Sequence, residues 1–582
     1  MTQQIIAQRS DFDELSVTRL KHAGIHPLLA RAYARRGIRR PEQVEYEVNK
    51  LPTPEGLPGV VTAAERLFLS ILREERVALI GNFDADGACS IAVAYSAFKA
   101  MGMNIRYYVP DRKRHGFGLG PGIVDEAFAD FEPDLILTVD NGTSACVGVA
   151  HANALGAEVV ITDHQLPVGD LPDAVAIVNP TLPQSTFPGK SLCGAGVAFY
   201  VVASVRALAR GFKHPAGDFE ILWLLDLVAT ATVADVVPLD ETNRCLVDGG
   251  LRIIRSGLAR PGIQALFHVA DRSMGDAIAS DMGFAIGPQL HAAGWIGDIR
   301  QAIECLLTED MEHAQELARE LDALNTQRKS LELERVEQAM AQVEDNPDRF
   351  SVTLFDKDWH EGIVGLLAGR VREKLGVPVI ALASAGAWLK GSGHSIPQVH
   401  LRDVLDAVQR QKPGVMIGYR GHSQAALLSV DHWNRERFAA AFEEAVREHL
   451  GGEHPEPIIY TDGDPGAEGM TLAAAKALEA GGPWGTQFEE PTFDSWFYVQ
   501  EQRGLGADHL HTRYTLVPKE KMNASGYEIE AVHFHCPPEE AAQAGELVHL
   551  AYRMQVNRFR GQERLQLMVV AIGSPVAKTE AA

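Results

Sequence analysis

From Val60 onward the chain alternates short, continuous apolar runs with longer stretches of helical period. Val77-Ala78-Leu79-Ile80 and Leu135-Ile136-Leu137 lack polar alternation, as strands buried on both faces do. The pattern predicts strands at 77–83, 104–109, 134–140, 158–163 and 174–178, with helices between them. That order implies a parallel sheet covered on both sides. Ahead of it, residues 1–48 read as a short helical segment, and the prolines from Leu51 to Pro58 mark a linker. Residues 309–344 carry Leu317, Leu321, Leu324, Leu331, Val336, Met340 and Val343 at roughly helical spacing, enough for a helix of about 50 Å. An α/β pattern returns at 350, with a strand at 352–356, a helix at 362–375 and a strand at 377–382. Beyond Glu453 the residues turn aromatic and alternating, predicting strands at 493–500, 511–517, 528–535 and 564–570 and a helix at 541–550.

Four of the apolar segments end in metal-ligand chemistry. The first runs into Gly81-Asn82-Phe83-Asp84-Ala85-Asp86-Gly87, the second into Asp140-Asn141-Gly142, and the third into Thr162-Asp163-His164-Gln165. The fourth, from Leu225, closes on Ala234-Asp235-Val236-Val237-Pro238. Any one of these carboxylates alone is more simply a cap or turn residue. Four on one edge of one sheet, where open α/β sheets hold ligands, point to a shared site. Carboxylates with one imidazole suit Mn2+ or Mg2+, and a pair of such ions is suited to phosphodiester hydrolysis.

Composition narrows the class. At 582 residues the chain needs several domains, and no apolar run approaches membrane-spanning length. Six scattered cysteines without a C-x-x-C pair suit a reducing compartment, so the cytoplasm is expected and structural zinc is not. The net charge of −23 means that any nucleic-acid footprint must be local, within an otherwise acidic surface. Two stretches offer one. Arg112-Lys113-Arg114-His115-Gly116-Phe117-Gly118 combines cations, glycines and an aromatic, and Arg553, Arg558, Arg560 and Arg564 cluster near the end. His533 and His535 share a strand face without partners and read as structural.

Asp84-Ala85-Asp86-Gly87, Asp140-Asn141-Gly142, Thr162-Asp163-His164 and Ala234-Asp235-Val236-Val237-Pro238-Leu239 resemble the motifs of the DHH phosphoesterase superfamily. Motif order and length, with Ser191-Leu192-Cys193-Gly194-Ala195-Gly196 and Trp359-His360-Glu361-Gly362, are most similar to its RecJ-like branch of single-stranded-DNA-specific exonucleases. The resemblance implies an α/β fold: a parallel-sheet DHH domain joined by a long helix to a second, DHH-associated α/β domain, plus a C-terminal β-rich OB-fold domain. It sets boundaries at 1–48 (helical segment), 49–270 (DHH domain), 271–345 (connecting region), 346–452 (DHH-associated domain) and 453–582 (OB-fold-like domain). It implies Asp84, Asp86, Asp140, His164 and Asp235 as ligands of two Mn2+ or Mg2+ ions, and Asp163 and Gln165 as catalytic groups. Arg112, Phe117, Ser392, His394, His422, Arg558 and Arg560 would contact substrate. The implied activity is 5′-to-3′ hydrolysis of single-stranded DNA in recombination or repair. Single-stranded DNA and single-strand-binding protein are the implied partners, with no membrane.

Several motif positions depart from that pattern. Gln165 replaces a second histidine, Gln289, His291 and Trp295 replace Arg, Asn and Arg, and His394 replaces an arginine. Arg420 and Leu427 stand where the pattern has glycines. Neither Gln, His nor Trp reproduces the bidentate phosphate grip of a guanidinium. The competing expectation is therefore a catalytically weakened or inactive paralogue that serves as a DNA-binding or scaffold subunit. A phosphodiesterase for short oligonucleotides or cyclic dinucleotides is a third, less suited to the long helix and β-rich tail.

Overall fold

The computed structural model describes residues 4–9, 12–111, 114–343, 346, 348–359, 362–421, 423–454, 458–506, 510–522, 526–559 and 561–575. The chain forms two compact units, residues 1–325 together with 459–582, and residues 326–458.

In the first unit, β1 (Gln4–Gln8) belongs to a C-terminal sheet, and the next five strands make a parallel sheet of their own. These are β2 (Arg76–Ile80), β3 (Asn104–Tyr108), β4 (Leu135–Val139), β5 (Glu158–Thr162) and β6 (Ala176–Val178), in the order β3-β2-β4-β5-β6. Ala78, Ile80, Ile136, Val159 and Ile161 pack on one face with Ile123, Val124, Val149 and Ala152 of helices Pro121–Phe131 and Cys146–Leu155. Val77, Leu79, Leu137 and Val160 face helices Ala85–Ala100, Gly194–Gly211 and Leu225–Ala234 on the other. The chain runs from β2 to β3 on one side and from β3 back across β2 to β4 on the other, so the strand order reverses beside β2. A crevice opens at the carboxyl ends of strands where such a reversal occurs. The strands of this sheet end within one residue of their expected ends except the first: β2 stops at Ile80, three residues early, which frees Gly81–Asp84 to turn into the helix that Asp84 caps.

The second unit holds a sheet of β7 (Val352–Asp356), β8 (Val379–Ala385), β9 (Trp388–His394), β10 (Gly418–Gly421) and β11 (Ala425–Asp431), in the order β10-β11-β9-β8-β7. Helix Val364–Leu375 lies on β8 and β9, and its Gly365 and Gly369 bring it close to Ser392 and His394. The chain passes between the units within helix Met311–Gln342, the long helix expected from the sequence.

The C-terminal strands are β12 (Ile458–Thr461), β13 (Phe493–Leu505), β14 (His511–Pro518), β15 (Ile529–His533), β16 (Leu547–Phe559) and β17 (Gln562–Pro575). β13, β14, β15, β17 and β16 close on themselves through the β16–β17 pairing, giving the five-stranded barrel of an OB-fold. Two expectations need correction here. Residues 1–48 are not wholly helical, because β1 pairs in parallel with β17 (Ile5 opposite Ser574), an edge supplied from the other end of the chain. Residues 541–550 are not a helix either. Gly545 sits at φ +91° and donates its N–H to Val499, ending any helical turn before β16 begins at Leu547. Among the described residues no helix is long and apolar enough to cross a membrane.

Candidate metal centre

Three backbone features bring the acids together. Asp84 caps helix Ala85–Ala100, its Oδ1 accepting the Gly87 N–H at 2.8 Å. Asp86, in the first turn, is buried, and both its oxygens receive backbone N–H groups from the next helix, Gly194 at 2.6 Å and Ala195 at 2.9 Å. The N-terminus of Gly194–Gly211 thus holds Asp86 by hydrogen bonds and by its dipole. Only glycine fits at 194, since a Cβ would stand 2.5 Å from the Asp140 Cβ. Asp140 follows β4 in the left-handed region, φ +60°, which turns its carboxylate back across the strand ends.

His164 closes the group. Its Nε2 lies 3.1 Å from Asp140 Oδ1, 3.6 Å from Asp86 Oδ2 and 3.7 Å from Asp235 Oδ2. One ligand atom from each of Asp86, Asp140 and His164 falls within 4.8 Å of the others. Asp235 ends helix Leu225–Ala234 at the rim, with 28% of its side chain exposed. Asp84 joins through Asn82, whose Nδ2 reaches Asp140 Oδ2 at 3.0 Å and Asp84 Oδ2 at 3.3 Å.

The electrostatics are those of a group short of positive charge. Burial, with repulsion from neighbouring aspartates, holds the carboxyls of Asp86, Asp140 and Asp235 above the usual carboxylate range. Burial opposes a charged His164, but the Asp140 hydrogen bond and the fields of Asp235, Asp140 and Asp86 prevail and lift its pKa well above the ordinary value. A divalent cation at this position would relieve both effects. Oxygen donors with one imidazole nitrogen suit Mn2+ and Mg2+.

The groups expected to be catalytic lie behind this cluster. Asp163 is buried and its oxygens are occupied by backbone: Oδ1 accepts from His164 and Gln165, Oδ2 from Thr143 at 2.8 Å. Asn179 extends the brace, donating to Thr143 Oγ1 and to the Gln165 carbonyl. The Gln165 amide donates weakly, at 3.5 Å, to the Asp140 carbonyl. The Asn82 bridge and the Gly194/Ala195 clasp were not assigned roles from the sequence. The only available signals were an Asn beside the acidic turn and a Gly-Ala-Gly helix start.

The substrate-contact candidates separate. Phe117 is 41% exposed, packs edge-to-face on Phe83 at 5.7 Å, and sits beside Gly118, which abuts Asn141. It stands at the edge of the centre. His291 and Trp295 also reach this loop. His291 Nδ1 receives the Ala85 N–H at 3.4 Å, the two rings stack at 5.4 Å, and Gly294 touches the Phe83 carbonyl. Gln289 is buried. In the second unit, Ser392 is buried on β9 and faces Leu427 of β11, which faces Arg420 of β10. His394 lies on the same sheet face as Ser392. Arg558 departs from expectation. Its guanidinium is held by Glu479 at 2.6 and 3.0 Å, Asp276 at 3.3 Å and Glu563 at 3.2 Å, so its charge is already neutralised. Arg112, His422 and Arg560 lie outside the described residues, as do His360 and Glu361 of the motif beginning at Trp359.

Comparison with known proteins identifies the domains of the chain. Residues 76–232 match the DHH family N-terminal domain, 348–448 the DHHA1 domain and 461–571 the RecJ OB domain. The single-stranded-DNA-specific exonuclease RecJ of Salmonella typhimurium is 40% identical, over 98% of this chain and 99% of its own length. That of Escherichia coli is also 40% identical over 98% and 99%. The crystal structure of RecJ with Mn2+ from Thermus thermophilus superposes with a TM-score of 0.81 at 25% identity, covering 99% of this chain and 80% of that one.

Proposed function

The chain belongs to the RecJ family, and we propose that it is a single-stranded-DNA-specific exonuclease that removes nucleotides from the 5′ end with Mn2+ or Mg2+, in recombination or repair. The observation that carries this reading is the convergence of Asp86, Asp140 and His164 on one point, with Asp235 and Asp84 beside it. These five residues are the proposed ligands. Bound divalent ions would supply charge neutralisation on the phosphoryl oxygens and an acidified water.

The chain's own groups do the rest. The Gly194–Gly211 helix start and Asn82 fix the directions of Asp86 and Asp140 before substrate arrives. Asp163 and Asn179 act as positioning residues for the His164 turn rather than as proton carriers. Gln165 can donate a hydrogen bond to a phosphate but has no proton to give at neutral pH. Phe117, braced by Phe83, would take an unpaired terminal base by stacking. Ser392, His394 and His422 would hold phosphates from the DHHA1 domain. The complete ligand cluster favours hydrolysis over the scaffold reading. Five of the six free cysteines are buried, which suits a reducing cytoplasm. Single-strand-binding protein is the proposed partner, supported by the family alone.

The test uses 5′-labelled single strands and matched duplex with Mn2+. Stepwise mononucleotide release from single strands, lost in Asp140→Ala, is the expected result. Strand binding without release in the unaltered chain would return the scaffold reading.

A further inference from the structure

The turn that carries Asp235 is held from an unexpected direction. Immediately after Asp235, Val236 adopts φ +58° while 65% exposed, a conformation that a β-branched residue reaches only under constraint. The residues leading into the barrel hold the segment three residues further on. Leu239 donates its N–H to the Thr486 carbonyl at 2.9 Å, and Gly485 lies against the Leu239 side chain. Gly485 and Phe488 exchange two backbone hydrogen bonds of 3.0 Å, which makes a tight turn of 485–488. Arg244 locks the two segments together. Its Nη1 donates to the Leu239 carbonyl at 2.7 Å and its guanidinium lies 4.2 Å over the Phe488 ring and 5.5 Å over Tyr46. The neighbouring Asn243 donates to the carbonyls of Pro238 and Ser191, both at 2.8 Å, and Ser191 lies three residues before the Gly194 that grips Asp86.

Arg244 is only 5% exposed, and among the described residues no salt bridge joins it to a carboxylate. A buried cation resting on two rings and a carbonyl is costly to keep. Two of its contacts, the Leu239 carbonyl and the Phe488 ring, join the segment that follows the strained turn to the 485–488 turn. We propose that Arg244 and the 485–488 turn are positioning elements for Asp235, so that the seating of the segment before the barrel sets the affinity of the metal centre. This rests on the reading of Asp235 as a ligand.

The experiment titrates Mn2+ into the metal-free full chain and follows free Mn2+ by electron paramagnetic resonance. Thermal unfolding of the metal-free proteins runs alongside. Phe488→Leu and Arg244→Ala are expected to weaken Mn2+ binding about tenfold or more, the scale of lost outer-shell support, and Arg244→Lys to restore most of it. Phe488→Leu leaves Arg244 in place, so it decides the question even if Arg244→Ala fails to fold. A Phe488→Leu chain that binds Mn2+ within about twofold of the unaltered one would overturn the clamp alone. Failure of the unaltered chain to bind Mn2+ would remove the metal reading, and the clamp with it.

Discussion

The metal centre and the basic end of the barrel contrast in one property, whether charge is already matched. Around His164, three buried or rim carboxylates face a single imidazole, and among the described residues no other cation forms an ion pair with them. Around Arg558, three carboxylates meet one guanidinium, and Arg553 likewise reaches Glu490 at 3.4 Å. Both regions look equally charged in the sequence. The first has carboxylates left for a metal ion, whereas at the second the Arg558 cation is already taken up by carboxylates and has nothing left for a phosphate, so the first is the proposed site and the second is mainly a joint. The acidic chain binds DNA, on this view, through a few focused groups rather than a basic surface.

The contrast breaks most sharply at Asp140. Asp140→Ala should lower exonuclease turnover on the order of a thousandfold or more while leaving the melting temperature of the metal-free protein unchanged or raised. Steady-state kinetics with a calorimetric scan checks both. Next comes Asn82, which orients two of the acids: Asn82→Ala should weaken Mn2+ binding by roughly 10- to 100-fold with little change in fold.

Titration sharpens the same point. The raised carboxyls and His164 hold protons more tightly in the metal-free fold than they would unfolded. Their contribution to metal-free stability is complete below the unfolded values, about 3.9 for Asp and 6.5 for His, and is lost as pH rises through the higher folded ones. Ion entry must expel those protons. Mn2+ affinity should therefore rise with pH, by about tenfold per unit for each proton released, and calorimetry in buffers of different ionisation heat should detect the release. At the edge of the centre, Phe117→Ala should raise KM for single strands by roughly 1–3 kcal/mol of lost stacking, with kcat nearly unchanged. The smallest effect belongs to the joint. Arg558→Ala should cost roughly 1 kcal/mol of stability, read as a lower melting temperature, with strand affinity and its salt dependence barely altered.

What could be read from the sequence followed the range of the interactions. Apolar segments ending in Asp or His are local patterns, so the stretches that carry Asp84, Asp86, Asp140, His164 and Asp235 could be picked out as candidates, and the fold class with them. The N–H clasp on Asp86 was not, because it joins residues 86 and 194 through backbone atoms that carry no residue identity. Arg558 misled for the same reason, since Asp276, Glu479 and Glu563 arrive from separate stretches. β1 was missed because a strand of five residues takes its stability from a partner at the far terminus. The 541–550 stretch has helical composition, and a single turn glycine overrode it.

Manganese titration of the metal-free full chain beside Asp140→Ala tests the central claim most directly. The account predicts uptake of about two ions by the unaltered chain, with protons released, and loss of the tighter ion in the variant. Equal binding by both proteins, or none by either, would contradict it.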